Sequence, residues 1–382
     1  MIDDNALEAA IAAAGIAGAV AHIAGPDGVR YARAFGVTDA ASGTLVREDT
    51  LFQIASMTKA VVSAAAMQMV ERGQLALDAP VGDLLPGLAD PQVIAGFDDA
   101  GVVQLRPAKR AITLRHLLTH TSGLGYDFVH PEILQSRGPN GPPAPGTLAT
   151  IHMPLLFDPG ERWEYSVGID WAGRMIEAAS GRSLGDYLAS EMLGPLGMAD
   201  TAFRPETAWP ADGAQVHMRL PDGSVMPFPM FLGGGEFQMG GAGLSSTASD
   251  YARFLRMVLN GGALDGVRVL ARETVALMTS NQVGTIRAGA IGTAMPQLSP
   301  AYDPFPDQHS GWSLGGFLIN PETGPNGRSA GSLCWAGIFN SYYWADPATG
   351  ITGILMAQLL PYADERVLAA YGALERMAYG RA

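Results

Sequence analysis

Ser56 and Lys59 are the two side chains of this sequence whose types and spacing could do chemistry. They belong to the stretch Ser56-Met57-Thr58-Lys59, at the start of a helical pattern that runs to about Arg72. Residues i and i+3 share one face of a helix, so the lysine amine would lie beside the serine hydroxyl. A serine is a weak nucleophile until a base removes its proton, and a neutral lysine can be that base. The spacing therefore indicates nucleophilic catalysis by a serine.

The S-x-x-K pattern is short and common, so the surrounding sequence must indicate whether it is catalytic. Direct counting finds two lysines, Lys59 and Lys109, among 24 basic residues, and the mostly apolar residues 51–55 lead directly to Ser56. A lysine that follows such a run is unlike an ordinary exposed charge. The N-terminus of a helix adds a positive field and free N–H groups that can bind an oxyanion. These neighbours favour the catalytic interpretation.

Composition excludes several other classes of protein. The 382 residues contain 37 acidic and 24 basic side chains, a net charge of -13 that disfavours binding to nucleic acid. The single cysteine, Cys334, excludes an internal disulfide framework and a cysteine-rich metal cluster. Uninterrupted apolar runs are too short for a transmembrane helix, and the acidic start Met1-Ile2-Asp3-Asp4 argues against a secretory signal. We therefore expect a cytoplasmic globular protein with no membrane association.

Periodicity and turn residues predict the elements that must position the serine and the lysine. Helices are predicted at about 6–14, 56–72, 113–118, 168–180, 183–193, 249–260 and 364–379. Strands are predicted at 17–23, 29–36, 312–319, 333–346 and 351–358, and loops at 75–90, 137–147, 233–243 and 285–311. Because strands and helices occur at both ends, we expect an α/β domain from residues 1–50 and 246–382. Residues 51–245 would form a mostly helical domain.

Longer stretches carry a family resemblance. Residues 52–59, Phe-Gln-Ile-Ala-Ser-Met-Thr-Lys, resemble the first motif of the serine β-lactamase and penicillin-binding superfamily. The class C β-lactamase-like branch is the most similar, and within it the family VIII carboxylesterases. Residues 112–124 and 157–166 resemble further signatures of that branch, in the same order along the chain. The resemblance implies an α/β (α+β) fold of the β-lactamase/transpeptidase type: an antiparallel sheet flanked by helices, plus a mostly helical domain, with the active site between them.

The resemblance also assigns a third catalytic residue. Tyr165-Ser166-Val167 falls where the family carries Y-x-N or Y-S-x, which makes Tyr165 the partner of Ser56 and Lys59. A nearby ammonium favours the phenolate form of a tyrosine, which could then relay a proton to the leaving group. The sequence leaves open whether Lys59 or Tyr165 is the general base. Val167 departs from the asparagine of β-lactamases and so lacks an amide that contacts the substrate there.

The third family motif aligns with Trp335-Ala336-Gly337, which are predicted to bind the substrate. By this alignment the N–H groups of Ile338 and Ser56 form the oxyanion hole. Trp335 replaces a lysine or histidine that helps to hold the carboxylate of a β-lactam in relatives. The replacement favours neutral esters over anionic substrates. Ala336, in place of a glycine, is a milder departure.

The loops at 126–150 and 285–311 are expected to line or cover the acyl pocket. Four aromatic residues within or near these segments are predicted as wall residues, each of which could equally serve packing: Tyr126, Phe128, Phe305 and Phe339.

Other short motifs receive structural interpretations. Ser183 and Ser313 each lie in a G-x-S-x-G pattern, but Ser183 falls between two helical patterns and Ser313 within a predicted strand without a histidine downstream. His116 and His120 have the i, i+4 spacing of helical zinc ligands, yet the glutamate of H-E-x-x-H is missing. No metal or cofactor is expected.

We therefore predict a serine hydrolase that cleaves carboxylic esters of small molecules through an acyl-enzyme on Ser56. Water, or an alcohol or amine acceptor, would then remove the acyl group. An amide hydrolase or acyltransferase that uses the same serine fits the sequence equally well. A β-lactamase or D-amino-acid peptidase is disfavoured by Trp335, and a non-catalytic penicillin-binding module by the intact Ser56, Lys59 and Tyr165. The sequence does not predict the natural substrate or the oligomeric state.

Overall fold

The structure is a computed structural model that describes residues 4–381. Met1-Ile2-Asp3, part of the stretch used to argue against a secretory signal, lie outside the described residues. The helices are α1 (Asn5–Ala14), α2 (Thr58–Glu71), α3 (Leu114–Leu118), α4 (Pro131–Ser136), α5 (Gly168–Ser180), α6 (Leu184–Leu188), α7 (Ala248–Leu259), α8 (Arg272–Thr279) and α9 (Glu365–Ala378). Within residues 4–381, no helix is long and apolar enough to cross a membrane.

Seventeen strands, most of them short, complete the regular structure of the described residues. They are β1 (Gly18–Gly25), β2 (Gly28–Gly36), β3 (Phe52–Gln53), β4 (Gln92–Phe97), β5 (Val103–Pro107), β6 (Ala202–Phe203), β7 (His217–Arg219), β8 (Val225–Pro227), β9 (Leu244–Ser246), β10 (Ala263–Leu264), β11 (Val267–Arg268), β12 (Gly311–Trp312), β13 (Leu318–Ile319), β14 (Leu333–Gly337), β15 (Ser341–Asp346), β16 (Ile351–Met356) and β17 (Leu359–Leu360).

The main sheet joins the two ends of the chain, as predicted. Its seven strands follow the order β12-β13-β14-β15-β16-β1-β2, and every neighbouring pair is antiparallel. Every residue of β14, β15 and β16 is buried, which means that both faces of the sheet are covered at its centre. Helix α7 packs on β1 and β16, and α9 packs on β16 and on α1. The expected antiparallel sheet flanked by helices is confirmed.

Helix α2 is buried on nearly its whole circumference, because all but the last two of its residues are buried. It packs against α5 and α8. A helix that is buried on all sides lies at the centre of a large core. Strands of the same segment form the hairpin β4–β5 and contribute to two small sheets, β3-β9-β6 and β17-β7-β8. The division into domains at residues 50 and 245 stays a prediction.

Two predicted strands are in fact hairpins. The predicted strand 312–319 is divided into β12 and β13 by a turn at Gly315-Gly316, where Gly316 has a φ of 73°. The predicted strand 333–346 is divided into β14 and β15 at Asn340, whose φ is 61°. Asparagine tolerates this left-handed conformation, and the Asn340 side chain ties the turn to the carbonyls of Leu359 and Pro361.

Candidate active site

Ser56 lies in a tight 3₁₀ turn, Ala55–Met57, that leads directly into α2. Ala55, just before it, has a φ of 44°, a conformation that costs free energy for a residue with a Cβ. Ser56 is partly exposed, whereas both of its chain neighbours are buried. The strained turn therefore presents one hydroxyl to solvent at the N-terminus of a buried helix, which is the position that a nucleophile needs.

Lys59 is fully buried, and its amine has three hydrogen-bonding partners. Its Nζ lies 3.1 Å from Ser56 Oγ, 3.0 Å from the Tyr126 hydroxyl oxygen and 2.7 Å from the Gly241 carbonyl oxygen. The Gly241 carbonyl can only accept, so it always takes one N–H of the lysine. In the neutral form, the amine can donate to Gly241 and Tyr126 and accept the proton of Ser56. This geometry suits a lysine base.

Tyr165 approaches the lysine with its ring rather than with its hydroxyl. Lys59 Nζ lies 4.7 Å from the ring centroid of Tyr165, within the range of a cation–π contact. The Tyr165 hydroxyl accepts a hydrogen bond from Trp335 Nε1 at 3.2 Å. The structure thus brings Ser56, Lys59 and Tyr165 together as predicted from the resemblance, while the hydroxyl that contacts Lys59 belongs to Tyr126. The catalytic roles of these residues stay predictions.

A carboxyl group lies behind the lysine. The Asp170 side chain is 4% exposed, and its Oδ1 accepts the Gly241 N–H at 2.9 Å. The peptide groups of Gly241 therefore connect Asp170 to Lys59. Burial raises the pKa of Asp170, and the charge of Lys59 opposes that shift only in part. Burial, with Asp170 and Tyr165 nearby, also raises the pKa of Tyr126 well above 10, which keeps its hydroxyl protonated.

An aromatic cluster holds Tyr165 in place. The Tyr165 ring lies 4.9 Å from that of His120 and 5.0 Å from that of Trp335, and Trp335 meets Trp312 edge to face at 4.7 Å. Burial, and secondly Lys59, lower the pKa of His120, while its Nδ1 lies 2.9 Å from Ser166 Oγ. His120 is therefore a neutral packing residue beside Tyr165.

The third motif closes the site from the main sheet. A Cβ added to Gly337 would lie 2.6 Å from the Ile54 carbonyl oxygen, so the end of β14 packs directly on the turn that carries Ser56. Only a glycine allows this close approach. Ile338 follows immediately and lines both cavities that contain Ser56. The predicted oxyanion donors, Ser56 and Ile338, are thus brought together, and the oxyanion role itself stays a prediction.

Two adjoining cavities open at Ser56. The larger has a volume of about 400 Å³, and its wall is mostly apolar, with Asp127 and Asp170 as its charged residues. The smaller has about 30 Å³ and lies between Tyr165, Trp335 and Ala336. Among the residues that line these two cavities, no arginine or lysine occurs. The space beside Ser56 is therefore suited to uncharged, apolar groups.

The predicted wall residues have different positions. Tyr126 and Phe128 line the larger cavity, as the sequence led us to expect. Phe305 lines a third cavity, of about 340 Å³, which does not include Ser56 in its lining. The prediction for Phe339 needs correction: its side chain is fully buried and lines none of these cavities. It follows Ile338 in the turn between β14 and β15 and so points into the core instead of the pocket.

The remaining motif residues have structural roles. Ser183 caps α6 by accepting the Asp186 N–H at 3.1 Å. Ser313 is fully buried, and its Oγ accepts the Phe317 N–H across the turn between β12 and β13. His116 Nδ1 accepts the Thr113 N–H in the capping box of α3. Within residues 4–381, no group of three histidine, cysteine or acidic side chains is arranged to hold a metal ion.

Three contributors to the site were missed by sequence reasoning: Asp170, Gly241, and Tyr126 as a partner of the lysine. Asp170 is an acidic residue among the apolar residues at the start of α5, and an acid buried in such a pattern is a usable signal. Gly241 lies in the glycine-rich segment 233–243, which the sequence predicts as a loop and for which no contact with the lysine was predicted. Tyr126 follows closely on the signature at residues 112–124.

Comparisons with known proteins found matches that cover most of the chain. The family model described as Beta-lactamase matches residues 4–377. The chain is 33% identical over 345 residues to monacolin J acid methylbutanoyltransferase of Aspergillus terreus, covering 83% of this chain and 78% of that protein. It is 31% identical over 337 residues to lovastatin esterase of Penicillium rubens, covering 84% and 82%. Unliganded simvastatin synthase (LovD) of Aspergillus terreus superposes with a TM-score of 0.81 at 30% identity, covering 99% and 97%.

Proposed function

The chain belongs to the beta-lactamase family, and we propose that within this family it is a serine hydrolase and acyltransferase acting on carboxylic esters. One observation supports the proposal most directly: the amine of the buried Lys59 lies 3.1 Å from the hydroxyl of the partly exposed Ser56. A serine with a base at hydrogen-bond distance is an activated nucleophile. Within the family, the proposed class is a carboxylesterase of the family VIII type.

The proposed reaction has two halves. Ser56 Oγ attacks the ester carbonyl while Lys59 takes its proton, and the N–H groups of Ser56 and Ile338 stabilise the oxyanion. The alcohol then leaves with a proton that the Tyr165 hydroxyl supplies. Water or a second alcohol then attacks the acyl carbon and gives its proton to Tyr165, while the bond to Ser56 Oγ breaks and Lys59 returns its proton to that oxygen. Tyr126 and Gly241 hold the amine in position throughout.

The larger cavity has the size and the lining to hold an apolar acyl group. Its volume of about 400 Å³ is within the usual range for small-molecule sites, and its wall includes Met230, Leu232, Met239, Met295 and Leu298. Acyl transfer is supported by the relatives, one of which is named a methylbutanoyltransferase and another an esterase. We propose that the acyl chain enters this cavity and that the alcohol lies on the side of Trp335.

Two substitutions argue against β-lactam hydrolysis. Trp335 stands where the resemblance leads us to expect a lysine or histidine, and its indole N–H is already donated to Tyr165. Val167 stands in place of an asparagine amide and lines the larger cavity. A β-lactam carboxylate would therefore find no cationic partner in the two cavities that contain Ser56.

Stopped-flow hydrolysis of p-nitrophenyl butyrate tests the proposal. We expect the wild type to release p-nitrophenol in a burst that approaches one equivalent, and mass spectrometry to find the butyryl group on Ser56. Ser56→Ala should show neither, because the nucleophile is gone. Turnover that survives in Ser56→Ala would contradict the assignment.

Ser183→Ala is the matched control, since it removes a serine from a competing G-x-S-x-G motif. Losing this helix cap should cost about 1 kcal/mol of stability and leave the burst unchanged. The loss of the burst in Ser183→Ala, with the fold intact, would move the nucleophile away from Ser56.

A further inference from the structure

The outer wall of the larger cavity is a proline-rich segment, residues 142–145, with the sequence Pro-Pro-Ala-Pro. All four residues line the cavity, and three of them, Pro142, Ala144 and Pro145, are also exposed to solvent. This proline segment therefore separates the cavity from the solvent. Proline has no N–H group to donate, so the segment is not held by the hydrogen bonds of a strand or a helix. Its position depends on the residues that flank it.

Arg137 holds the chain on both sides of the proline segment. Its side chain is 12% exposed and forms an ion pair with Asp127, in which Nε lies 2.7 Å from Oδ1. Its Nη1 donates to the carbonyl oxygens of Ala149 at 3.0 Å and His152 at 2.7 Å, and its Nη2 donates to that of Thr150 at 3.4 Å. Because Arg137 precedes the segment and its contacts follow the segment, one guanidinium closes the loop that contains the wall.

The chain beyond the proline segment also contacts the glycine-rich segment 233–243. The Glu236 N–H donates to the Gly146 carbonyl oxygen at 2.8 Å, and Glu236 Oε2 accepts the Leu148 N–H at 2.7 Å. The two backbones approach closely, since a Cβ on Gly146 would lie 2.3 Å from the Gly234 carbonyl oxygen. Arg137 and Glu236 thus hold the same loop from two sides.

The ion pair also joins the wall to the proposed catalytic residues. Asp127 lines the larger cavity and directly follows Tyr126, whose hydroxyl oxygen lies 3.0 Å from the amine of Lys59. Both side chains of the pair are only 12% exposed, so the loss of either one leaves the other as a nearly buried charge without this partner. The position of the wall therefore depends on the intact pair.

We propose that Arg137 and Asp127 are positioning residues that set the size limit for the acyl group, because they hold the proline segment in place as the outer wall of the larger cavity. The inference rests on the proposed function, which it deepens by naming what limits the length of the acyl chain. With the pair intact, an acyl chain longer than the cavity meets a fixed wall. Without the pair, the proline segment moves outward and admits a longer chain.

Hydrolysis of p-nitrophenyl esters from butyrate to dodecanoate tests this size limit. In the wild type, kcat/KM should rise with acyl length and then fall once the chain is longer than the cavity. Arg137→Met should raise kcat/KM for the longer esters relative to butyrate on the order of tenfold, since each of about two more buried methylenes adds roughly fourfold. Arg137→Lys should lie between the two, because one amine replaces only some of the contacts. A wild type whose kcat/KM never falls, or an unchanged profile in Arg137→Met, would overturn the proposal.

Arg219→Met is the matched control. Arg219 is likewise nearly buried, forms an ion pair with Asp364 and donates to the Ala14 carbonyl oxygen, but it lies outside the larger cavity. Its replacement should destabilise the fold and leave the relative kcat/KM for long and short esters unchanged. The same shift in Arg219→Met would show that lost stability, and not the wall, changes the preference, and would overturn the proposal.

Glu236→Ala covers the case in which Arg137→Met does not fold. Glu236 is exposed, and its replacement removes the hydrogen bond from its carboxylate to the Leu148 N–H. The profile should shift toward longer esters by about twofold to fivefold, since one hydrogen bond is lost. Glu48→Ala, at another exposed glutamate outside the cavity, should leave the profile unchanged. An unchanged profile in Glu236→Ala would then overturn the proposal.

Hydrogen exchange separates this inference from the proposed function. In Arg137→Met, or in Glu236→Ala if the former does not fold, the amides of residues 146–152 should exchange faster than in the wild type, and this measurement needs no substrate. If the wild type hydrolyses no p-nitrophenyl ester, the proposed function fails, and calorimetric titration with 1-alkanols of increasing length measures the size limit directly. A limit that moves to longer alkanols in the variant would support the inference. Unchanged exchange or an unchanged limit would overturn it.

Discussion

At the scale of single residues, two tyrosines compete for the role of proton carrier. Tyr126 contacts the amine of Lys59 through its hydroxyl, whereas Tyr165 contacts the amine through its ring. Tyr165 also lines the small cavity that contains Ser56. The raised pKa of Tyr126 makes it a poor base. We therefore predict that Tyr126 positions the amine and that Tyr165 transfers the proton.

Replacing each tyrosine by phenylalanine should separate these roles. Tyr165→Phe is expected to lower kcat by a factor of about 10²–10⁴, the range for loss of a general acid–base group. Tyr126→Phe removes one hydrogen bond to the amine and should cost roughly tenfold. Steady-state kinetics on p-nitrophenyl butyrate would measure both, with Tyr31→Phe, whose hydroxyl bonds to Asp4, as the control. The opposite ranking would give the proton-carrier role to Tyr126.

The ionised Asp170 carboxyl should lower the stability of the fold at neutral pH while it supports the activity. Because burial raises its pKa above the unfolded value, the ionised carboxyl opposes folding at neutral pH, and that cost disappears as the pH falls below about 4. Asp170→Asn keeps an acceptor for Gly241 without the charge. It should therefore unfold at a higher temperature than the wild type at neutral pH, with a smaller difference in acid. It should also lose activity, because the ammonium that forms when Lys59 takes the Ser56 proton no longer has a carboxylate nearby. Calorimetry at several pH values checks this, and a less stable variant at neutral pH would contradict it.

At the scale of elements, most helices of residues 4–381 were predicted from local signals, whereas α4 and α8 were not predicted. Thr113 caps α3 and Asp364 caps α9 with their side chains, and Gly15 and Gly181 end α1 and α5 in the left-handed conformation. Strand continuity was harder to judge. The main-sheet hairpin β14–β15 is buried on both faces, so its residues form one apolar run in which only Asn340 marks the turn.

The glycine-rich segment 233–243 is irregular, and its Gly241 carbonyl accepts a hydrogen bond from the Lys59 amine, a contact that substitutions can test. A Cβ on Gly241 would lie 2.4 Å from Asp170 Oδ2, whereas a Cβ on Gly234 would meet no atom within 4 Å. Gly241→Ala should shift the carbonyl that holds Lys59 and lower kcat/KM by roughly tenfold or more, the loss of one hydrogen bond to a charged group. Gly234→Ala should leave kcat/KM unchanged.

A double variant tests the cause of that loss. In an Asp170→Ala background the clashing oxygen is absent, so adding Gly241→Ala should cost little further activity. Fully additive losses would show that Gly241→Ala acts in some other way.

At the scale of the whole molecule, the sheet explains which parts of the site could be predicted. Ser56 and Lys59 are three positions apart, in the turn that leads into α2 and in its first residues, so their contact follows from local periodicity. Tyr126 and Gly241 meet the same amine from 67 and 182 positions away, and no pattern in one sequence encodes such distances. The order of the elements predicted that both ends of the chain contribute strands to one sheet. Which side chains this sheet brings into contact depends on tertiary packing, which the order of elements does not show.

The fold leaves a mostly apolar cavity of about 400 Å³ beside Ser56, which is the proposed site of the acyl chain. If the acyl chain occupies the apolar cavity, enlarging it should favour longer chains. Met295→Ala shortens a lining side chain, and each extra methylene that becomes buried adds about 0.8 kcal/mol, or roughly fourfold in relative kcat/KM. The measurement compares p-nitrophenyl esters of increasing acyl length in Met295→Ala and in Met226→Ala, where the methionine is 49% exposed and outside the cavity. A chain-length preference that is unchanged in Met295→Ala would place the acyl group elsewhere, and a shift in Met226→Ala would remove the cavity as its cause.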